Sequence, residues 1–360
     1  MPRRSHRTRT AAFFLLILLL LVVFARPPRQ ACHANGPGAV AGALGGWLTA
    51  ALEEVPCPDS GRVVYDARDN LDAPMDALDP IDDPAGGYLG VYHVPGRPLA
   101  RGQLNYEVVL AHSDDLIDWT RVRVLDPVGA SMPTLAAIPG TPGYLLAYEK
   151  STGKVDYIRL VYYSSLATLL KGQVDATVGL PLRFSSLANG TPSFVSIDWA
   201  GGLDHSVIQL AFHYEAPTSR GLTGPDREAT GTLYGFRRWQ ARRDTATDAA
   251  LVKLGLAGSH GDRRQFSFDG TQWRVYEAQL QLGNFATWHL LLYDVATRQF
   301  EPLELALADG HFGTSFGNPI ATVLRSPTGR GQVLAVTVFV FGSGAAAREA
   351  GELVYYQPIT

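Results

Sequence analysis

From Arg62 to its C-terminus the chain alternates runs of four to eight β-branched and aromatic residues with turns of Gly, Pro, Asp and Ser. Tyr106–His112, Tyr157–Tyr163, Val207–Tyr214 and Trp288–Val295 are such runs, and Gln332–Phe341 is a longer one. Apolar runs of this length between turn residues are strand signals, and long amphipathic helices are not evident. Only Ser165–Lys171 suggests a helical turn. The chain therefore reads as all-β. So many strands must close on themselves, or leave edges that invite aggregation.

A proline cassette repeats through the same region. It occurs as Asp79-Pro80-Ile81, Met132-Pro133-Thr134, Thr191-Pro192-Ser193 and Asn318-Pro319-Ile320. The prolines lie 53, 59 and 127 residues apart, so the last gap holds one further unit without its proline. Ser259–Phe266 fits that place. Each cassette leads through a turn to a strongly apolar strand, as in Tyr88–His93 or Tyr144–Glu149. The result is five units of about sixty residues, near 62–126, 127–186, 187–257, 258–313 and 314–360. Repeated four-stranded units are what a β-propeller requires, so 62–360 is expected to form a five-bladed β-propeller.

The N-terminus differs. Four arginines precede an apolar run, Ala11–Ala25, and Arg26-Pro27-Pro28-Arg29 follows. This order is that of a secretory signal, and the run is short for a membrane span. Residues 1–34 are read as a signal peptide or an N-terminal membrane anchor, which makes the protein secreted or extracytoplasmic. Residues 35–61 read as a linker with a short helix near Trp47–Leu52. If the signal is cut before Cys32, the only two cysteines, Cys32 and Cys57, could form a disulfide. Residues 1–34 hold six of the 31 basic residues and no acid, so the remainder carries 25 against 34 acidic residues, a net of −9. An acidic exported body argues against nucleic acid as a partner. The expected membrane contact is the N-terminal segment alone, if uncleaved.

In a propeller the first strand of each blade lines the axis, so residues at its start converge on one funnel. Asp69 and Asp79 lie in the first unit, Glu149 in the second, His213 in the third, Arg263 and Glu277 in the fourth, and Asn318 in the fifth. Two carboxylates across a sugar are what glycoside hydrolysis needs. The pattern Asp79-Pro80-Ile81, turn, Gly87-Tyr88-Leu89 resembles the first blade of the five-bladed propeller glycoside hydrolases of the arabinanase and β-xylosidase type. Ser131-Met132-Pro133-Thr134-Leu135 is similar to their second blade, and Ser113-Asp114-Asp115-Leu116 with Asp118-Trp119-Thr120 to an outer-strand element common in them. The resemblance implies a carbohydrate ligand, hydrolysis of a furanoside or xyloside bond in a plant or microbial glycan, and Asp79 as general base or nucleophile.

The chain departs from that pattern at two places. Thr134 stands where the family carries an Asp, and no Glu-Gly-Pro supplies the acid. Glu149 and Glu277, each closing an apolar strand after a Tyr, are the candidate acids by their own placement. Asp69, His213, Arg263 and Asn318 are the candidate sugar-binding residues. The missing acid motif also leaves a second reading, a non-catalytic propeller that binds carbohydrate or another surface partner. No phosphate-cradling glycine loop, His-Glu-x-x-His or Cys-x-x-Cys occurs, so no cofactor is expected. The Asp-rich turns leave room for a structural calcium, although the spacing of a dedicated loop is missing.

Overall fold

The computed structural model describes residues 44–98, 105–217, 224–307, 313, 315–343 and 345–359, without the side chains of Asp262 and Arg263. The expectations for the signal and for Cys32 therefore fall outside the described residues. Twenty strands form five four-stranded antiparallel sheets, the blades of a propeller. Blade 1 holds β2 (Asp76–Asp82), β3 (Tyr88–Pro95), β4 (Tyr106–Ser113) and β5 (Thr120–Asp126). Blade 2 holds β6 (Ala130–Ala137), β7 (Tyr144–Ser151), β8 (Asp156–Tyr163) and β9 (Ala176–Gly179). Blade 3 is β10 (Asn189–Asp198), β11 (Val207–Glu215), β12 (Asp226–Tyr234) and β13 (Arg238–Arg243). Blade 4 is β14 (His260–Phe268), β15 (Thr271–Gln279), β16 (Trp288–Asp294) and β17 (Gln299–Leu303).

Blade 5 takes β18 (Phe316–Arg325), β19 (Gln332–Val340) and β20 (Gly351–Ile359), and its fourth strand is β1 (Val63–Val64). β1 pairs with β20 through Val63 opposite Tyr355. The first repeat unit thus begins later than its sequence texture suggests. The residues just after Arg62 close the ring by joining the last blade, so the two ends of the propeller hold each other.

Sheet position explains the sequence texture. β3 is buried along its length except for Pro95, because a middle strand is covered on both faces by neighbouring blades. β9 alternates between half-buried and exposed residues, as an outer strand with one wet side should. Apolar clusters join blades 1 and 2 (Leu89, Val91, Leu135, Leu146), 2 and 3 (Leu145, Leu160, Phe212, Trp239), 4 and 5 (Val275, Leu292, Val336) and 5 and 1 (Tyr92, Val109, Val333, Ala335). Each fully buried Leu among them contributes about 1.5–3 kcal/mol relative to exposure.

Among the described residues three α-helices decorate the ring. α1 (Trp47–Glu53) is docked rather than trailing: Leu48, Ala51 and Leu52 belong to the cluster of blades 4 and 5. Tyr355 donates its hydroxyl to the Leu52 carbonyl, and Ala306 N–H donates to that of Glu53 at 2.8 Å. α2 (Leu166–Lys171) is the anticipated turn, started by a Ser165–Thr168 capping box. α3 (Thr245–Lys253) has little apolar signal of its own. It is capped by Asp244, and of its residues only Thr247 and Leu251 are buried, which is why no periodicity announces it.

Candidate functional site

The inner strand of every blade breaks register near its start, and that of blade 3 does so again between Phe194 and Ser196. The shifts near the starts fall between Asp76 and Asp79, Ser131 and Thr134, Gly190 and Ser193, Asp262 and Gln265, and Gly317 and Ile320. Ala77, Met132, Thr191 and Asn318 occupy the left-handed region inside four of these bulges, at φ 57°, 49°, 47° and 52°. Non-glycine residues avoid that region, so its recurrence marks a built feature that re-aims side chains.

The bulges correct the alignment suggested by the prolines. Pro133, Pro192 and Pro319 lie inside their bulges, whereas Pro80 follows its own. Asp79 is therefore matched by Thr134, Ser193 and Ile320, not by Met132, Thr191 and Asn318. In blade 4 the corresponding bulge carries Arg264.

Two tiers of side chains surround the axis. The first sits opposite the residue at, or next to, the start of each bulge: His93, Glu149, His213, Glu277 and Phe339. In blades 3, 4 and 5 the residue so faced is a glycine, and a side chain of the preceding blade covers it. A side chain on Gly190 would strike Glu149 Oε2, and one on Gly261 would strike the His213 ring. One on Gly317 would lie 3.2 Å from Glu277 Oε2. Ser131, Gly190 and Gly317 stand two residues before their prolines, so none of them supplies an acid there. Glu149 and Glu277 instead bring carboxylates to Gly190 and Gly317 from the preceding blades. Glu277 Oε2 accepts the Asn318 N–H at 2.6 Å, and Ser131 Oγ lies 3.4 Å from Glu149 Oε1.

The second tier contains Asp79, which is fully buried. Its Oδ2 accepts the Thr134 hydroxyl at 2.7 Å and the Leu135 N–H at 3.0 Å. Its Oδ1 is ion-paired with Arg264 Nη1, which also donates to the Pro80 carbonyl at 3.1 Å. Blades 1, 2 and 4 are thus tied through one carboxylate. The bulge beside it is held by Glu352 of blade 5, whose oxygens accept the Ala77 and Leu78 N–H groups at 3.2 and 3.3 Å. Pro80 is tolerated because an inner strand has one unpaired edge.

The structure brings Asp79, Glu149, His213 and Glu277 to the two axial tiers, and Asn318 meets Glu277 there through its backbone N–H. His213 is buried there under blade 4 rather than open to solvent. Asp69 lies elsewhere. It accepts the Tyr92 hydroxyl and Arg121 Nε, both at 2.6 Å, and the Leu71 and Ala73 N–H groups. Burial pushes its carboxyl up, but these donors outweigh that and hold it below the ordinary range. With its oxygens committed to the frame of blade 1, Asp69 is a structural residue and not a sugar ligand. The Arg263 side chain lies outside the described residues, and its neighbour Arg264 makes the axial contact.

Asp76, three residues before Asp79, is a second acid beside the first tier. Burial, then Asp66, raises its carboxyl to about 6, with Arg68 opposing. It stands opposite His93, at the edge of the first tier. Its spacing from Asp79 gives no hint of this, because the bulge between them sets which way each side chain faces. Among the described residues no group of His, Cys, Asp and Glu is arranged to hold a metal ion.

Neither a protein-family model nor a curated protein sequence matches the chain. Solved structures match it in fold. A structure described as a complex of BT0996 with RGII is 11% identical at a TM-score of 0.52, over 83% of this chain and 92% of its own. A glycoside hydrolase is 10% identical at a TM-score of 0.51, over 83% and 93%. An endo-1,4-β-xylanase from Bacteroides thetaiotaomicron is 14% identical at a TM-score of 0.49, over 79% and 90%. The chain has the fold of the five-bladed propeller glycosidases, as its first two cassettes suggest. At such identities the likeness speaks for architecture and assigns no residue its role.

Proposed function

We propose that this protein is an exported, carbohydrate-binding propeller on a glycosidase scaffold, in which Asp79 holds the blades together instead of attacking a glycosidic bond. One observation carries the reading: Asp79 is sealed from solvent, and Arg264, Thr134 and Leu135 occupy its oxygens. A general base must reach the attacking water and a nucleophile the sugar carbon, and a carboxylate closed off from solvent is open to neither. The RGII complex among the matching structures supports carbohydrate as the ligand class.

The surface offered to a neutral sugar is the mouth above the first tier. There the loop after β15, which begins three residues beyond Glu277, exposes Phe285, whose ring packs edge-on against Phe341 at 5.6 Å. Such a pair can stack on a sugar ring while Glu277 lies nearby for hydroxyls. A hydrolytic reading keeps support from Glu149 and Glu277, whose carboxylates stand over Gly190 and Gly317.

A screen of arabino- and xylo-oligosaccharides, scored for binding and for new reducing ends, separates the two. The expected outcome is binding without product, weakened about three- to tenfold by Phe285→Ala. Product formation that disappears in Glu149→Gln or Glu277→Gln would overturn the non-catalytic reading. Export rests on residues 1–34. N-terminal sequencing of the protein outside the cytoplasm should begin after Ala25 or Ala34 if the signal is cut, or at the native start if it remains an anchor. Recovery of the chain only from the cytoplasm would refute export.

A further inference from the structure

Four of the five seams between blades are apolar, and the seam of blades 3 and 4 is not. There Glu228 of β12, fully buried, receives Arg274 Nη1 of β15 at 2.7 Å and the Tyr276 hydroxyl. The nearest apolar cluster, Tyr276, Leu291 and Tyr293 with Leu251 and Leu256, joins blade 4 to α3 and the turn after it, and draws no buried residue from the strands of blade 3. The two sheets consequently leave a polar cavity of about 650 Å³ between them.

The lining has a distinct chemistry. Arg242 and Arg298 are exposed and Arg274 is buried, and Thr232, Gln240 and Gln265 stand among them. Arg274 donates to Gln265 Oε1 at 3.2 and 3.1 Å, which fixes that amide. Arg242 spends its Nε on Thr230 Oγ1 at 3.2 Å, and neither it nor Arg298 has an ion-pair partner among the described residues. Asp244 is the one acid in the lining. Its oxygens already accept the Thr247 N–H and hydroxyl, at 3.3 and 3.1 Å. The groove is thus cationic on a body that is net acidic. A smaller cavity of about 220 Å³ shares Val195 and Gln265 with it and is lined by Thr134 and Arg264, the partners of Asp79. The groove therefore adjoins the axial space.

The geometry points to a second binding site in this groove, for a saccharide bearing carboxylate or sulfate groups. Guanidinium forks match the planar oxygens of a carboxylate and the oxygens of a sulfate, and amides and hydroxyls exchange hydrogen bonds with sugar hydroxyls. The anionic character rests on the groove itself, and the saccharide class rests on the reading in the preceding section.

Calorimetric titration of the full chain at physiological salt tests the site. The probes are an oligogalacturonate, a sulfated oligosaccharide of equal length, a neutral xylo-oligosaccharide and a penta-glutamate peptide. At least one anionic sugar should bind, and the one that does identifies the anionic group. Arg242→Gln/Arg298→Gln, both exposed and outside the core, should weaken it at least tenfold and leave the neutral sugar and the melting temperature unchanged. Failure of both anionic sugars to bind, or binding unaffected by the double substitution, overturns the site even if the neutral sugar binds at the mouth. Penta-glutamate binding as tightly as the sugar overturns the saccharide class. Loss of neutral-sugar binding alone would count against the mouth and not against the groove.

Discussion

Asp79→Ala should cost about 3–5 kcal/mol of folding stability, because it strands the Arg264 guanidinium in a largely buried place. The Thr134 hydroxyl and the Leu135 N–H lose their acceptor in the same step, and unsatisfied buried donors cost about 1–3 kcal/mol each. These penalties overlap, since all three groups share one carboxylate, so the larger sum is not expected. Arg264→Met should also destabilise, by leaving Asp79 buried and uncompensated. Asp79→Ala/Arg264→Met should recover much of the loss, since removing both members of a buried pair is far cheaper than removing one. Urea unfolding of the four proteins measures the coupling. An unchanged unfolding midpoint in Asp79→Ala would show that the carboxylate does not hold the blades.

Stability should fall as pH rises from about 4 to about 6, and Asp76 and Asp226 are the source. Burial, then Asp66, raises Asp76 to about 6; burial, then Glu215, raises Asp226 to about 6. Both values stand above the 3.8 of an ordinary Asp, so the folded state keeps protons that the unfolded chain releases. The folded state is thus favoured at the acidic end of that window and penalised above it. Each site costs about 3 kcal/mol once the pH exceeds both values, at about 1.4 kcal/mol per pH unit. Asp69 works in the opposite sense, because its lowered carboxyl lends stability that is lost on further acidification. Stability should therefore peak in the mildly acidic range. Asp76→Asn and Asp226→Asn should each stabilise the protein at pH 7.5 and flatten the decline. Equal slopes between pH 4.5 and pH 7.5 in the parent and the double substitution would reject this assignment.

The two results would separate roles that the sequence leaves merged. In sequence, Asp79 and Asp76 are two acids of one loop, and Arg263 and Arg264 are an undivided pair. Which way Asp76 and Asp79 each face depends on the bulge between them, because one extra residue in a strand turns every later side chain to the other face. No local composition marks the bulges in blades 1 and 4: Ala77 carries one without a proline, and blade 4 has no cassette proline at all. Glu149 and Glu277 are legible for a simpler reason. Each closes an apolar run after a Tyr, and the repeat places such positions near the axis. Asp69 misleads because an acid before a turn looks the same whether it faces a ligand or, as here, Tyr92 and Arg121.

The polar seam has no sequence signature. Glu228 and Arg274 are 46 residues apart on different sheets, and only the packing of blade 3 against blade 4 makes them partners. α3, which fills part of that seam, lacks an apolar stripe because it buries little more than Leu251 and Thr247. By itself the sequence determined the strand texture, the five-fold repeat and the two carboxylates that crown its strands, since these follow from local periodicity and turn chemistry. The tertiary structure decided that Asp79 is locked rather than poised, that the first strand completes the last blade, and that one seam is open and cationic. Those outcomes depend on which side chain meets which across a closed ring, and that is settled by register and burial, not by neighbours in the chain.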